Sequence, residues 1–112
     1  MKLSVRKTDT VAILDVSGKL MGGPDADVFK ETIRNLLDEG FKNVVVNMSQ
    51  VPFINSTGLG ILISAYTTLR KEDGVLKLAN VTERIDSLLM ITKLGTIFET
   101  YSSEEKAVES FK

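Results

Sequence analysis

Two adjacent hydroxyls, Ser56 and Thr57, stand between the apolar pair Phe53-Ile54 and a helix-periodic stretch that starts at Leu59, in the segment Val51-Pro52-Phe53-Ile54-Asn55-Ser56-Thr57-Gly58-Leu59-Gly60. Hydroxyls at a strand-to-helix junction suit two kinds of chemistry. One is N-capping, in which Ser, Thr or Asn accepts a hydrogen bond from a backbone N–H that the first turn leaves free, worth about 1 kcal/mol. The other is phosphoacceptance. A helix N-terminus offers free N–H donors and the positive end of the dipole, so a phosphoryl group adding about −1.5 to −2 of charge is tolerated by the fold while the surface changes sign. Catalysis by Ser56 as a nucleophile needs an activating base, and no Lys, Asp or Glu adjoins it.

The absences narrow the chemistry further. With no Cys and no His, the chain lacks thiolates, disulfides, the commonest general base and the commonest metal ligand, so a hydrolase triad or a transition-metal centre is not expected. We therefore read a protein that is not an enzyme and holds no metal. Gly22-Gly23 ahead of Pro24 has no Lys-Ser/Thr pair after it and fits neither the P-loop nor the dinucleotide fingerprint, so no cofactor is expected. Fourteen Lys and Arg against fifteen Asp and Glu give a net charge of −1, with no basic excess to hold nucleic acid or an anionic membrane surface. The N-terminal Met1–Lys7 alternates polar and apolar, and no apolar run approaches the ~20 residues of a membrane span, so a cytoplasmic location without membrane insertion is expected.

These residues need a scaffold to position them. A chain of 112 residues with 43% hydrophobic and 26% charged content has the makings of one globular domain over residues 1–112 with its own core. Leu3 and Val5 at period two, and the branched run Val11–Val16, predict a β-hairpin. Pro24, with Asp25 and Asp27 behind it, marks a helix start, and Ala26, Phe29, Ile33, Leu36 and Leu37 recur at helical spacing until Gly40. Val44-Val45-Val46 with Met48 reads as a central strand buried on both faces. Leu59, Leu62, Tyr66 and Leu69 define a second helix, Val75–Leu78 another strand, and Ile85, Leu88, Leu89 and Thr92 a third helix ending near Gly95. Thr96-Ile97-Phe98 is the expected last strand, and Ser102 with Glu105 the expected capping box of a short terminal helix. The alternation predicts an α/β fold: a mixed sheet, mostly parallel after the hairpin, with about four flanking helices.

Gly18-Lys19-Leu20, Val45-Val46-Asn47-Met48 and Phe53-Ile54-Asn55-Ser56-Thr57-Gly58-Leu59-Gly60 together resemble the pattern of the STAS-domain anti-sigma factor antagonists, across nearly the whole chain. The resemblance implies a bacterial phosphoprotein of transcription regulation. Unphosphorylated, it binds an anti-sigma factor that is also a serine kinase and so releases the sigma factor, and a serine phosphatase resets the switch. By the same resemblance Ser56 is the phosphoacceptor, with Thr57 the second choice and better suited to capping the helix or supporting the loop.

The expected partner-binding surface comprises Met21, Asn55, Ser56, Thr57, Gly58 and Gly60. Asn47 is expected to brace the Ser56 loop or to act as a satisfied turn residue. Gly58 and Gly60 either flatten a docking surface or let the turn pack closely on a neighbouring loop. Lys30, Glu31, Arg34, Glu104, Glu105 and Lys106 read as solvated helix faces. Two positions depart from the family pattern: Asn55 replaces its Asp before the phosphoacceptor, and Met21 replaces an acidic residue. Asn keeps the shape and hydrogen bonding of Asp but not its charge. That departure leaves a second reading, an unphosphorylated STAS subunit of a lipid-transport or signalling assembly.

Overall fold

A computed structural model describes residues 1–8 and 10–112. Strands β1 (Lys2–Lys7) and β2 (Val11–Ser17) form the expected antiparallel hairpin. Helix α1 (Pro24–Asp38), β3 (Asn43–Gln50), α2 (Ser56–Lys71), β4 (Val75–Ala79), α3 (Glu83–Ile91), β5 (Glu99–Tyr101) and α4 (Glu104–Glu109) follow. The sheet order is β1-β2-β3-β4-β5, parallel at every pairing after the first. The α/β class, the mixed sheet and the central place of β3 are as the sequence predicts.

Period-two alternation divides the core between the faces of the sheet. Ala12, Leu14, Val44, Val46, Leu76 and Leu78 join the cluster that α1, α2 and α3 cover. Val11, Ile13, Val45 and Ala79 face the other way, onto Ala107 of α4 with Tyr101, Val108 and Phe111 around it. Lys77 also belongs to that second side and is only 7% exposed. Its Nζ donates to Ser110 Oγ at 2.7 Å, lies 3.3 Å from Glu99 and sits 4.2 Å from the Phe111 ring centroid. A buried ammonium is costly unless paired, and here its partners also fasten the chain end.

Four local expectations need correction. Thr96-Ile97-Phe98 is not a strand: Leu94–Thr96 forms a 3-10 turn, Phe98 drops into the core at 2% exposure, and pairing with β4 starts only at Glu99. The third helix stops at Ile91, and the left-handed residue beyond it is Lys93 (φ 64°), not Gly95. The cap of α4 is Ser103, which accepts from the Lys106 N–H at 3.1 Å, while Ser102 accepts from the Lys106 ammonium. Ala26, expected on the buried stripe of α1, is exposed, and Phe29, Ile33 and Leu36 carry the packing.

Candidate functional site

The junction between β3 and α2 is built on a backbone seat. Leu20, just beyond β2, donates its N–H to the Phe53 carbonyl at 3.1 Å, pairs with Ile54 as a parallel bridge, and accepts from the Asn55 N–H at 3.4 Å. Buried Leu20 and Ile54 thus lock the two loops at the carboxyl ends of neighbouring parallel strands.

Asn55 is the N-cap of α2, so Thr57 is not the capping residue. The Asn55 Oδ1 accepts from the Gly58 N–H at 2.8 Å and its Nδ2 donates to the Met21 carbonyl at 3.1 Å. Asn ranks with Ser and Asp as an N-cap, and its position one residue before the hydroxyl pair is the signal that could have located the cap. Gly58 and Leu59 N–H groups bond to Asn55, whereas those of Ser56 and Thr57, the first two helical residues, find no acceptor among the described residues. Helix geometry requires such free donors at an N-terminus. Ser56 and Thr57 are both exposed, and Met21 beside them is 46% exposed.

The two glycines part company. A Cβ on Gly58 would stand 2.0 Å from the Leu20 carbonyl oxygen, so this glycine serves close packing of the first turn on the Leu20 loop. Gly60 is exposed with nothing within 4 Å of its would-be Cβ. It opens onto a groove of about 390 Å³ between α1 and α2, with Thr57, Ile61 and Ser64 on one wall and Ala26 and Asp27 on the other. Thr57 also closes over Gly22, where a Cβ would meet its methyl at 2.6 Å.

Asn47 does not brace the Ser56 loop. Its Oδ1 accepts from the Ser49 N–H at 3.0 Å and the Asn80 amide at 3.3 Å, and its Nδ2 donates to Glu104 at 3.2 Å. It therefore ties the ends of β3 and β4 to the start of α4. Glu104, expected on a solvated face, also pairs with Arg6, which forks onto Asp15 at 2.5 and 2.9 Å. Hydrogen bonds from the Arg6 guanidinium hold the Asp15 and Glu104 carboxyls below their ordinary pKa, and Asn47 adds to the effect on Glu104. The same two carboxylates raise that of Arg6. This network ties β1, β2, β3 and α4 together across long sequence separations.

Among the described residues no cluster of three or more His, Cys, Asp or Glu side chains could hold a metal, and no helix is long and apolar enough to cross a membrane. The junction presents an exposed hydroxyl pair, free N–H donors and the exposed Met21 side chain on a hydrogen-bonded backbone seat.

The chain belongs to the STAS domain family, whose family model matches residues 2–107. It is 31% identical over 84 residues to the anti-sigma-B factor antagonist of Bacillus subtilis, covering 75% of this chain and 76% of that one. A Thermotoga maritima crystal structure, of a candidate anti-sigma factor antagonist, superimposes with a TM-score of 0.86 over 96% of this chain and 92% of that one, at 24% identity. The Bacillus cell fate determinant SpoIIAA in its phosphorylated form superimposes at 0.76, with 17% identity, 99% of this chain and all of that one covered. By homology and fold together, the family is that of the anti-sigma factor antagonists.

Proposed function

We propose that this chain is a phosphorylation-controlled protein-binding switch: unmodified, it binds an ATP-holding anti-sigma factor and thereby releases a sigma factor. The observation that carries this reading is the placement of Ser56, exposed at the first position of α2, beside two free N–H donors and the exposed Met21. The anti-sigma factor serves as serine kinase. The Ser56 oxygen attacks the γ-phosphorus of ATP, the bond from that phosphorus to the β–γ bridging oxygen breaks, ADP leaves, and the hydroxyl proton passes to a base of the kinase. The chain itself is substrate and binding module, not enzyme. A serine phosphatase returns Ser56 to the hydroxyl with water as acceptor. The setting is the cytoplasm, and the whole of residues 1–112 acts as one unit.

The phosphoserine needs no refolding, because the donors of Ser56 and Thr57 and the helix dipole already favour an anion there and the first turn holds no acidic side chain. Its effect falls on the partner. A dianion placed in an interface built around a neutral hydroxyl is an uncompensated charge, costing about 3–5 kcal/mol when buried, and about 1.4 kcal/mol is tenfold in affinity. Titration calorimetry of the anti-sigma factor against Ser56→Ala and Ser56→Asp tests the reading: the first variant binds and resists labelling by ATP, the second binds weakly. Equal affinity for both variants contradicts it.

A further inference from the structure

Ser56 stands between two residues that reach the same loop. On one side the Asn55 amide donates to the Met21 carbonyl at 3.1 Å. On the other the Thr57 side chain lies over Gly22, so close that a Cβ placed on that glycine would stand 2.6 Å from the Thr57 methyl and 3.3 Å from its Cβ. The loop has little of its own to hold it. Gly22 (φ 107°) and Gly23 (φ 65°) are consecutive residues in a backbone conformation that glycine takes readily, and glycine gives up the most freedom when it is fixed. Gly23 is also the N-cap of α1 and has no side chain to cap with.

Thr57 has a methyl with a seat and a hydroxyl without one. Further along α2, Thr67 and Thr68 donate their hydroxyls to the carbonyls of Ile63 and Ser64, four residues back, at 2.9 Å each. Thr57 is only the second helical residue, and the carbonyl four residues before it, that of Phe53, lies outside the helix and takes the Leu20 N–H. The side-chain hydrogen bonds of the junction are both made by Asn55. A β-branched side chain has few χ1 rotamers open to it, and with the hydroxyl unbonded the contact with Gly22 chooses among them. Serine at this position would keep the hydroxyl and lose the contact.

We propose that Thr57 is a positioning residue of the Ser56 switch and that it works through its methyl group. Pressed on Gly22, the methyl holds the Met21–Gly23 loop so that the exposed Met21 side chain and the Ser56 hydroxyl meet the anti-sigma factor as one fixed surface. The inference rests on the reading of Ser56 given above. Asn55 ties the loop at Met21 and Thr57 holds it at Gly22, so the two contacts bracket the phosphoacceptor. A surface already ordered before docking spares the cost of ordering it on binding. The two adjacent hydroxyl residues thus have different tasks: Ser56 presents an oxygen, Thr57 a carbon.

The test exchanges the two halves of the Thr57 side chain. Thr57→Ser keeps the hydroxyl and removes the methyl, whereas Thr57→Val keeps the methyl and puts a second one in place of the hydroxyl. Each full-length variant is titrated against the ATP-loaded anti-sigma factor, thermal melts check that it stays folded, and amide hydrogen exchange follows Gly22 and Gly23. Thr57→Ser should bind severalfold more weakly, raise the KM for phosphorylation of Ser56 at an unchanged maximal rate, and exchange faster at the two glycines. Thr57→Val should restore all three. In a Met21→Ala background the loss caused by Thr57→Ser should vanish, because residues that act through one another are not additive. The reverse order, with Thr57→Val weak and Thr57→Ser parental, makes the hydroxyl the working group and overturns the inference. So do affinities within twofold of the parent for both variants, equal losses in both, or the same Thr57→Ser loss with and without the Met21 side chain. Failure of the switch itself shows separately, as no binding of the unmodified parent or parental binding by Ser56→Asp. Hydrogen exchange then still decides, and parental exchange in Thr57→Ser overturns the loop contact.

Discussion

The side-chain amide of Asn55 donates to the Met21 carbonyl at 3.1 Å while the same side chain caps α2 through Gly58. One residue therefore holds the two loops that present Ser56, and only an amide can do both, because a carboxylate has no N–H to give. Asn55→Asp keeps the cap and loses the tie to Met21, so amide hydrogen exchange at Met21–Gly23 should quicken with little change in global stability. Asn55→Ala loses both contacts and should cost about 1–2 kcal/mol, the range for deleting a cap. Urea unfolding checks the second, and an alanine variant as stable as the parent refutes the capping role.

Gly58 and Gly60 make a paired prediction. A methyl group at Gly58 collides with the Leu20 carbonyl at 2.0 Å, an overpacking against backbone that should destabilise by about 2–3 kcal/mol or more. The same change at Gly60 meets open space and should stabilise the helix by about 0.5–1 kcal/mol. Chemical denaturation of Gly58→Ala and Gly60→Ala checks the opposite signs. Equal effects at both positions would falsify the account of the seat.

Acid should loosen α4 before it unfolds the sheet. Asp15 and Glu104 have folded pKa values below their ordinary 3.8 and 4.5, caused first by hydrogen bonds from Arg6. A carboxyl with a lowered folded pKa contributes stability that is present above its unfolded pKa and lost as pH falls through the folded one. Stability should thus be level from neutrality down to about pH 5 and then decline below the ordinary carboxyl range. Arg6→Met removes the cause and should flatten that acid limb. Urea midpoints measured from pH 7 to pH 3 check it, and an unchanged acid limb in the variant contradicts the network.

Lys77 fastens the same helix by another route, through Ser110 and the Phe111 ring. Lys77→Ala should free the chain end, seen as faster proteolysis after Tyr101 with the strands still protected. Unchanged cleavage would show that the apolar contacts of Ala107 and Phe111 suffice.

The strands and long helices were legible because each carries its own periodicity: Val11–Val16 and Val44–Met48 for the sheet, Leu59 to Leu69 for α2. The hydroxyl pair was legible because it interrupts apolar sequence at a junction. What escaped depends on groups distant along the chain. Nothing local tells that Arg6 reaches Glu104, that Asn47 serves Asn80 and Glu104, or that Lys77 is buried. Thr96-Ile97-Phe98 has strand composition, but one buried Phe98 side chain sets that turn, and the true strand is a short edge of polar residues. The cap of α2 was partly legible, since Asn55 stands just before the hydroxyl pair, and its hydrogen bond from the Gly58 N–H decides for it over Thr57.

One titration separates a switch from a constitutive scaffold: the anti-sigma factor against this chain before and after incubation with kinase and ATP, with the adduct located by mass spectrometry. A single phosphoryl group on Ser56 is expected, with an affinity lower by about a hundredfold or more, the equivalent of a buried uncompensated charge. An unlabelled chain, or a chain labelled at Ser56 that binds as tightly as before, contradicts it.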